Sequence, residues 1–217
     1  MRAFRTVLTI LVLILAAREA AAQITPIAEA RNLPAGTVVT VEGAVTVPSG
    51  DFSSSTFDQG FAIQDDTGGI YVSTSESSGL NFHRLVRVTG VVGNDGFGLT
   101  VLRPASLADV QPVGGAVNVQ PLHVDTGDVS EATEGLLLEV TGTVTRVIDD
   151  LPFGYQVFID DGSGETQVFI AASTGINPFN IPFAQPGSRI TATGYSGQFL
   201  AQYEVLPRHR GDIRPAP

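Results

Sequence analysis

The sequence predicts an all-β protein made of two tandem five-stranded units, and three observations support this prediction. Runs rich in Val, Ile and Thr alternate with short segments of Gly and Pro, which is typical of strands joined by turns. No segment has the apolar spacing of a long helix, and the only helical pattern is the short PIAEARNL at 26–33. The two halves of the chain also repeat one order of motifs.

Residues 1–22 have the pattern of a cleavable signal peptide. Arg2 and Arg5 supply positive charge, an apolar run of about eleven residues (7–17) follows, and 20–22 form an Ala-Ala-Ala cleavage site. The run is too short for a membrane span, and an uncleaved anchor is the alternative. The sequence therefore predicts a secreted or periplasmic protein whose mature chain begins at Gln23.

The chain is strongly acidic, with 12 basic and 22 acidic residues and a formal net charge of −10. All basic residues are arginine, and loss of residues 1–22, which hold three arginines and one glutamate, leaves −12. Such a charge repels phosphate backbones, so extended non-specific contact with nucleic acid is not expected. Because the chain has no cysteine, packing alone must hold the fold together.

The first copy is assigned to residues 23–112. Strands are predicted at 38–47 and 85–92, with a hairpin at 60–72 between them. A long loop (48–58), in which Phe52 and Phe57 are predicted ligand contacts, precedes the hairpin. The tight turn Gly-Asn-Asp-Gly at 93–96 follows the fourth strand.

The second copy is assigned to residues 113–217 and repeats these motifs about 100 residues later. A short turn is predicted at Ser196–Gly197. A long connection at 171–187 separates the third and fourth strands, and its apolar residues are predicted to plug the end of the second barrel. The corresponding pairs are Val41 and Val140, Ile63 and Ile159, Val86 and Ile190, and Val101 and Val205. The predicted plug residues are Phe179, Ile181 and Phe183.

Both copies carry an Ile-x-Asp-x-[Thr/Ser]-Gly hairpin between the second and third strands. We expect Asp65 and Asp161 to accept hydrogen bonds from backbone N–H groups two residues on, and Gly68 and Gly164 to adopt positive φ. A calcium loop is the alternative, since DDGSGE in the second copy offers oxygen ligands at alternating positions. The first copy has glycine where that segment has its glutamate, which favours the turn.

The segments PIAEARNLPAGTVVTVEGAVT (26–46), GFAIQDDTGGIYV (60–72) and RLVRVTGVV (84–92) resemble OB-fold modules attached to secreted bacterial nucleases and phosphodiesterases. Such modules also occur in other exported proteins. The second copy, with EGLLLEVTGTVT (134–145) and VLPRHRGDI (205–213), is similar to the companion module often found beside the first. The resemblance implies two tandem OB-fold barrels, each with a ligand face on strands two and three. It also implies single-stranded nucleic acid or a secreted nuclease as partner.

The residues carry no catalytic signature. The histidines His83, His123 and His209 lie far apart and have none of the spacings that metallohydrolases use. There is no Gly-x-Ser-x-Gly motif, and adjacent acidic pairs fall at predicted turns. We therefore expect no enzymatic activity, no cofactor and no metal site.

Strand alternation predicts which side chains face a ligand. Gln64, Tyr71, Phe158 and Phe169 fall on the outer faces of strands two and three. An exposed ring can stack on a base at about 1–3 kcal/mol, so the three rings are predicted to stack on a ligand. Gln64, on the same face, is predicted to bind the ligand beside them. Burial against the neighbouring module or the first loop is the alternative for the rings. The residues predicted to point into the barrels are Phe61, Ile63, Ile70, Val72, Tyr155, Val157, Ile159, Val168 and Ile170.

The arginines indicate a second part of the ligand site. Arg84 and Arg87 begin the fourth strand of the first copy, and Arg208 and Arg210 cluster near the C-terminus. We expect them to contact phosphate, with ion pairing to nearby carboxylates as the alternative. The sequence thus predicts a non-catalytic binding or accessory protein with single-stranded nucleic acid as ligand. An envelope protein or a glycan, bound by the same faces, is the alternative partner.

Overall fold

The computed structural model describes residues 23–52 and 54–217, so the predicted signal peptide lies outside the described residues. Nearly all the regular secondary structure of the described residues is strand, and the strands form two closed five-stranded barrels in succession. This confirms the predicted all-β fold of two tandem OB-fold barrels. In the part of the chain that the structure describes, no helix is both long and apolar enough to cross a membrane.

The first module is a barrel with one added strand. Its elements are α1 (Ile27–Arg31), β1 (Val38–Val47), β2 (Phe61–Gln64), β3 (Gly69–Val72), β4 (Arg84–Asn94), β5 (Thr100–Arg103) and β6 (Val110–Ala116). Hydrogen bonds close the barrel in the order β1-β2-β3-β5-β4-β1, and only β3 and β5 are parallel. β6 pairs with the outer edge of β4.

The second module repeats this plan. Its strands are β7 (Leu122–His123), β8 (Leu137–Asp150), β9 (Gly154–Asp160), β10 (Thr166–Ala171), β11 (Arg189–Phe199), β12 (Gln202–Leu206) and β13 (Ile213–Pro215). The barrel closes in the order β8-β9-β10-β12-β11-β8, again with one parallel pair, β10 and β12. β13 pairs with β11 as β6 pairs with β4.

Each barrel encloses its own apolar core, and strand alternation predicts its members correctly. All nine residues predicted to point inward are buried in the two barrel cores. Ile181 and Phe183 pack into the second core as predicted. The prediction for Phe179 is wrong, because the 3₁₀ turn Pro178–Asn180 buries Pro178 and leaves half of the phenylalanine exposed.

The two acidic segments are hairpin turns of the predicted kind. One carboxylate oxygen of Asp65 accepts from the Thr67 amide at 2.7 Å, and that of Asp161 accepts from the Ser163 amide at 2.9 Å. These bonds hold the pKa of Asp161 below its usual range, with the Ser163 hydroxyl as the largest cause. Glu165 is paired with an arginine of β8 rather than turned into the loop. The turn interpretation accounts for both segments.

The duplication extends to the chain in front of each barrel. The second oxygen of Asp65 accepts from the Ile27 amide at 2.9 Å, and that of Asp161 accepts from the Thr126 amide at 3.0 Å. Each aspartate therefore ties the short helical turn before the first strand to the hairpin, in the manner of a helix cap. Sequence comparison alone did not reveal this shared role.

Three predicted details of the connections need correction. Gly164 has positive φ (146°) as predicted, but Gly68 does not; a Cβ at Gly68 would lie 3.2 Å from the Ala28 amide, so glycine there admits α1. The predicted turn Ser196–Gly197 lies inside β11, which continues for two more residues before turning at Leu200. The boundary predicted between residues 112 and 113 falls inside β6, which is hydrogen-bonded to β4 as far as Ala116.

A third apolar cluster, which we call the junction cluster, joins the two modules. It places aromatic rings of the first module against a ring of β11, with Phe52 and Tyr195 at a centroid distance of 5.4 Å. Burial of this much aromatic surface fixes the modules against each other. The cluster consists of Val47, Phe52, Ala62, Tyr71, Leu99, Val101, Ala171, Tyr195 and Leu206.

Polar contacts complete the junction. Arg31 of α1 forms an ion pair with the buried Glu134 at 2.8 Å, and the same carboxylate oxygen accepts from the Thr100 amide at 3.1 Å. The backbones of the modules also touch, since any side chain at Gly69 would overlap the carbonyl group of Gly135. Glycine is therefore required where the two barrels meet most closely.

Candidate nucleic-acid interface

The predicted ligand face of the first module is covered by the second module. Tyr71 points away from the barrel, as strand alternation predicts, yet none of its surface is exposed. Its ring lies 5.7 Å from that of Phe52, in the loop after β1, and 6.4 Å from that of Tyr195. The prediction that Tyr71 stacks on a ligand is wrong, because these two rings fill the space in front of it.

The Tyr71 hydroxyl is also fully used within the protein. It donates to a carboxylate oxygen of Asp58 at 2.6 Å and accepts from the Ser54 amide at 3.2 Å. Burial, reinforced by the Asp58 carboxylate, raises the pKa of Tyr71 far above its usual value of 10.0. Tyr71 therefore holds the loop after β1 in place instead of meeting a ligand.

Two further predicted residues of the first module have partners within the protein. The Gln64 side-chain oxygen accepts from the Leu137 amide at 2.8 Å, which links β2 to the start of β8. The Arg87 guanidinium donates twice to one oxygen of Glu42, at 2.8 and 3.2 Å. Gln64 thus joins the two modules, and Arg87 forms an ion pair, which was the alternative to a phosphate contact.

The outer face of the second module is partly closed as well. Phe158 is only 9% exposed because the Arg146 guanidinium lies 3.6 Å above its ring centre. Arg146 is in turn paired with Glu165. Phe169 packs against the junction cluster. Of the two alternatives for these rings, burial describes Phe158, which is covered within its own module, whereas Phe169 is partly buried against the junction cluster.

A buried carboxyl, that of Glu204 on β12, lies opposite Gln167 of β10. The Gln167 side-chain amide donates to Glu204 at 2.7 Å, and both residues are more than nine-tenths buried. Burial raises the pKa of Glu204 to about 8, against the opposing effect of the Gln167 hydrogen bond. This carboxyl is therefore largely protonated at neutral pH and adds little negative charge to the face.

Two of the remaining predicted arginines, Arg208 and Arg210, lie beside phenylalanine rings at one edge of the junction. We call this surface the basic–aromatic patch. It combines the chain just before and at the start of β4 with the segment between β12 and β13 and one ring from the connection between β10 and β11, so both modules contribute to it. Its members are Phe82, His83, Arg84, Phe183, Arg208, His209 and Arg210.

Arg208 is the fixed centre of the patch. Its guanidinium donates to both oxygens of Asp212, at 2.8 and 2.9 Å, and to the Thr46 carbonyl oxygen at 3.0 Å. It lies 5.2 Å from the ring centre of Phe82, whose edge meets the His209 ring at 5.9 Å. Arg208 therefore forms an ion pair, which was the alternative to a phosphate contact. It links the two modules and holds the neighbouring side chains in place.

Two exposed arginines flank this centre. Arg84 and Arg210 are both exposed, and no carboxylate of the described residues lies within 4 Å of either guanidinium. Arg210 lies 5.6 Å from the ring centre of Phe183. His83, next to Arg84, has a left-handed backbone (φ 69°) that is held by hydrogen bonds of 2.8 Å to Val45 and Val117. Within the patch, these two arginines are the cations that are available to a ligand.

A polar cleft of about 470 Å³ opens beside the patch. Arg208, His209 and Arg210 form one side of the cleft, and Asp51 from the loop after β1 also lines it. The rest of the lining is polar and uncharged or apolar: Ser173, Thr174, Gly175, Ile176, Asn177, Asn180 and Ile181. The cleft thus places a carboxylate near a cationic edge.

Sequence reasoning identified the arginines of the patch together with His209, but it missed Phe82 and His83 and assigned Phe183 only to the barrel plug. Phe82 and Arg208 are 126 positions apart, and only the docking of the two modules brings them together. The local signal that was available is the sequence Arg-His-Arg at 208–210. No periodicity could have connected it to residues 82–84.

Comparison with known proteins gives only structural similarities. No family model matches the chain, and no curated protein matches it either. Among solved structures, a murine DNA-binding protein in complex with double-stranded DNA is 12% identical, with 82% of this chain and 96% of that chain covered, at a TM-score of 0.43. The Ifi202 HINa domain bound to double-stranded DNA is 10% identical, with 85% and 99% covered and a TM-score of 0.41. A Replication Protein A heterotrimer bound to single-stranded DNA is 10% identical, with 90% and 70% covered and a TM-score of 0.29.

Proposed function

We propose that this chain is an exported, non-catalytic protein that binds single-stranded nucleic acid through the basic–aromatic patch. The observation that carries the proposal is the grouping of two exposed arginines, Arg84 and Arg210, around the stacked pairs Arg208–Phe82 and Arg210–Phe183 on an otherwise acidic chain. Cations beside stacking surfaces are what proteins use to bind single strands. The sequence resemblance to modules of secreted nucleases supports an accessory role of this kind.

The geometry favours single strands over duplexes. Guanidinium planes and rings can stack only on bases that are not already stacked and paired. Arg208 and Phe82 form one such pair, and Arg210 and Phe183 form another, at distances of 5.2 and 5.6 Å. A patch of this size contacts a short stretch of nucleotides and offers no extended groove.

The charge of the chain limits the affinity. Arg84 and Arg210 can neutralise about two phosphates, while the chain as a whole is acidic. For a single strand, the slope of log K against log salt is about −0.7 per phosphate, so we expect a slope of about −1.4. Binding should therefore be measurable at low salt and weak at physiological salt.

The test is fluorescence anisotropy with a labelled single-stranded hexanucleotide at several salt concentrations. We expect binding at low salt, and we expect the double substitution Arg84→Ala and Arg210→Ala to weaken it at least about five-fold and to flatten the salt slope. Arg103→Ala is the matched control. Arg103 donates to the Asn94 carbonyl at the far end of β4, about 30 Å along the strand from Arg84.

Two results would contradict the proposal. One is the absence of binding at low salt. The other is an equal loss of affinity in the Arg103→Ala control, which would show that overall charge and not the patch determines binding.

A protein partner is the second candidate, and one observation favours it. Phe97 and Phe199 stack at 5.6 Å where the turns after β4 and β11 meet, and both rings remain more than a third exposed. Leu200 beside them is 59% exposed and has φ 56°, an unusual backbone for leucine. If no nucleic acid binds, this apolar surface is the one to test for a protein partner. Leu200→Ser should then weaken binding to an envelope protein.

A further inference from the structure

The cleft beside the basic–aromatic patch contains the carboxylate of Asp51, for which the described residues supply no hydrogen-bond donor. Asp51 is half-buried, and among residues 23–52 and 54–217 its side chain makes no hydrogen bond and no ion pair within 4 Å. Its backbone is held in place, because the Ser173 hydroxyl donates to the Asp51 carbonyl oxygen at 2.9 Å. Because the carboxylate lines the cleft and is only half-buried, a ligand in the cleft can reach it and donate a hydrogen bond to it.

The surroundings of Asp51 indicate which kind of donor fits. Burial raises the pKa of this carboxyl, while His209 and Arg208 nearby act in the opposite direction. The cleft is lined by small hydroxyl and amide side chains, and it lacks a phenylalanine or tyrosine ring on which a base could stack. A sugar bearing hydroxyl groups suits this lining better than a nucleobase does.

We propose that the cleft binds the ribose of an RNA nucleotide, with Asp51 accepting a hydrogen bond from the 2′-hydroxyl. This proposal rests on the proposed function. In RNA the 2′-hydroxyl lies next to the 3′-phosphate, and the cleft likewise places Asp51 near the cationic edge formed by Arg208 and Arg210. The 2′-hydroxyl is the group by which proteins distinguish RNA from DNA, and a carboxylate is a strong acceptor for it. The ligand class is therefore single-stranded RNA in preference to DNA.

The experiment compares hexauridylate with its deoxyuridine and 2′-O-methyl counterparts, which share one base and one number of phosphates. Fluorescence anisotropy at low salt is measured for the wild-type protein and for Asp51→Asn. A hydrogen bond to a charged acceptor corresponds to a difference of about ten-fold or more in affinity. We expect the wild type to bind RNA about ten-fold more tightly than either counterpart. Asp51→Asn keeps an oxygen acceptor but loses the charge, so it should reduce this preference to about two- to three-fold.

The outcomes separate this inference from the function on which it rests. Equal binding of RNA and deoxyuridine strands by the wild type overturns the ribose site and leaves nucleic-acid binding intact. Absence of all binding overturns both. An unchanged RNA preference in Asp51→Asn assigns the discrimination to another residue and overturns the role of Asp51. The 2′-O-methyl strand tests the hydroxyl donor without any change to the protein.

Discussion

Substitution of Tyr71 tests whether the outer face of the first barrel is an interface within the protein or a ligand site. In Tyr71→Phe the ring stays, but Asp58 loses its hydrogen bond of 2.6 Å and the Ser54 amide loses its acceptor. The carboxylate of Asp58 keeps the Ser73 hydroxyl at 2.6 Å, whereas the Ser54 amide is left buried and unpaired. An unsatisfied buried group of this kind costs about 1–3 kcal/mol.

We therefore expect Tyr71→Phe to lower the free energy of unfolding by about 2 kcal/mol, or the melting temperature by about 4–8 °C for a chain of this size. Tyr71→Ala also removes the ring from the junction cluster and should cost about 3–5 kcal/mol. The assay is urea unfolding followed by far-UV circular dichroism, with comparison of the slopes to confirm that the same transition is observed.

The matched control is Tyr203→Phe, since the Tyr203 hydroxyl donates to Glu131 at an exposed site, at 2.8 Å. Its loss should change stability by no more than about 0.5 kcal/mol. Affinity for the hexanucleotide should be unchanged in folded Tyr71→Phe. If this variant were as stable as the wild type but bound nucleic acid less tightly, Tyr71 would be a ligand residue and our reading of the junction would be refuted.

Four further predictions concern the junction and the titrating groups. Glu204→Gln should stabilise the protein by roughly 2–4 kcal/mol at pH 8 and hardly at all at pH 4. The folded pKa of about 8 lies above the unfolded value of 4.5, so the wild type loses stability as pH rises through this window and the carboxyl must ionise while buried. Urea unfolding at the two pH values measures this gain, and an equal gain at both would contradict the prediction. Gly69→Ala should destabilise the protein by more than about 2 kcal/mol and loosen the junction, as measured by hydrogen exchange around Tyr195, and a neutral result would mean that the modules do not touch there. Asp65→Ala and Asp161→Ala should each cost about 1 kcal/mol by freeing the helical turn in front of its own barrel, and thermal unfolding of the two variants should give similar losses. Tyr203 should ionise with a pKa of about 12 in an ultraviolet absorbance titration, while the buried Tyr71 and Tyr195 stay protonated at higher pH. Stability should fall above pH 10, where the unfolded counterparts of these tyrosines ionise, and ionisation of Tyr71 and Tyr195 at or below the pKa of Tyr203 would contradict their burial.

The sequence was sufficient to predict the barrels because each barrel is determined by local pattern. Alternation along β2, β3, β9 and β10 separates inward from outward side chains, and closure of the sheet makes every inward residue a core residue. The repeated hairpin aspartates were predictable for the same reason, since their first hydrogen bonds reach only two residues along the chain.

The site could not be predicted in the same way because it depends on how the two barrels pack. Alternation correctly placed Tyr71 outside the first barrel, but it does not reveal that Tyr195, 124 positions later, covers it. The patch depends equally on contact between Phe82 and Arg208. The prediction of a turn at Ser196 failed because glycine beside a small polar residue also occurs inside long strands, where Gly197 gives room to the Leu206 side chain.

The most direct measurement of the central claim is amide chemical-shift mapping by NMR of the ¹⁵N-labelled protein during titration with a single-stranded hexanucleotide. If the second module occupies the outer face of the first and the patch binds the ligand, the shifts should concentrate at residues 82–84 and 208–210. Residues 61–72 of β2 and β3 should remain unchanged. Shifts centred on β2 and β3, with the patch unaffected, would contradict the account.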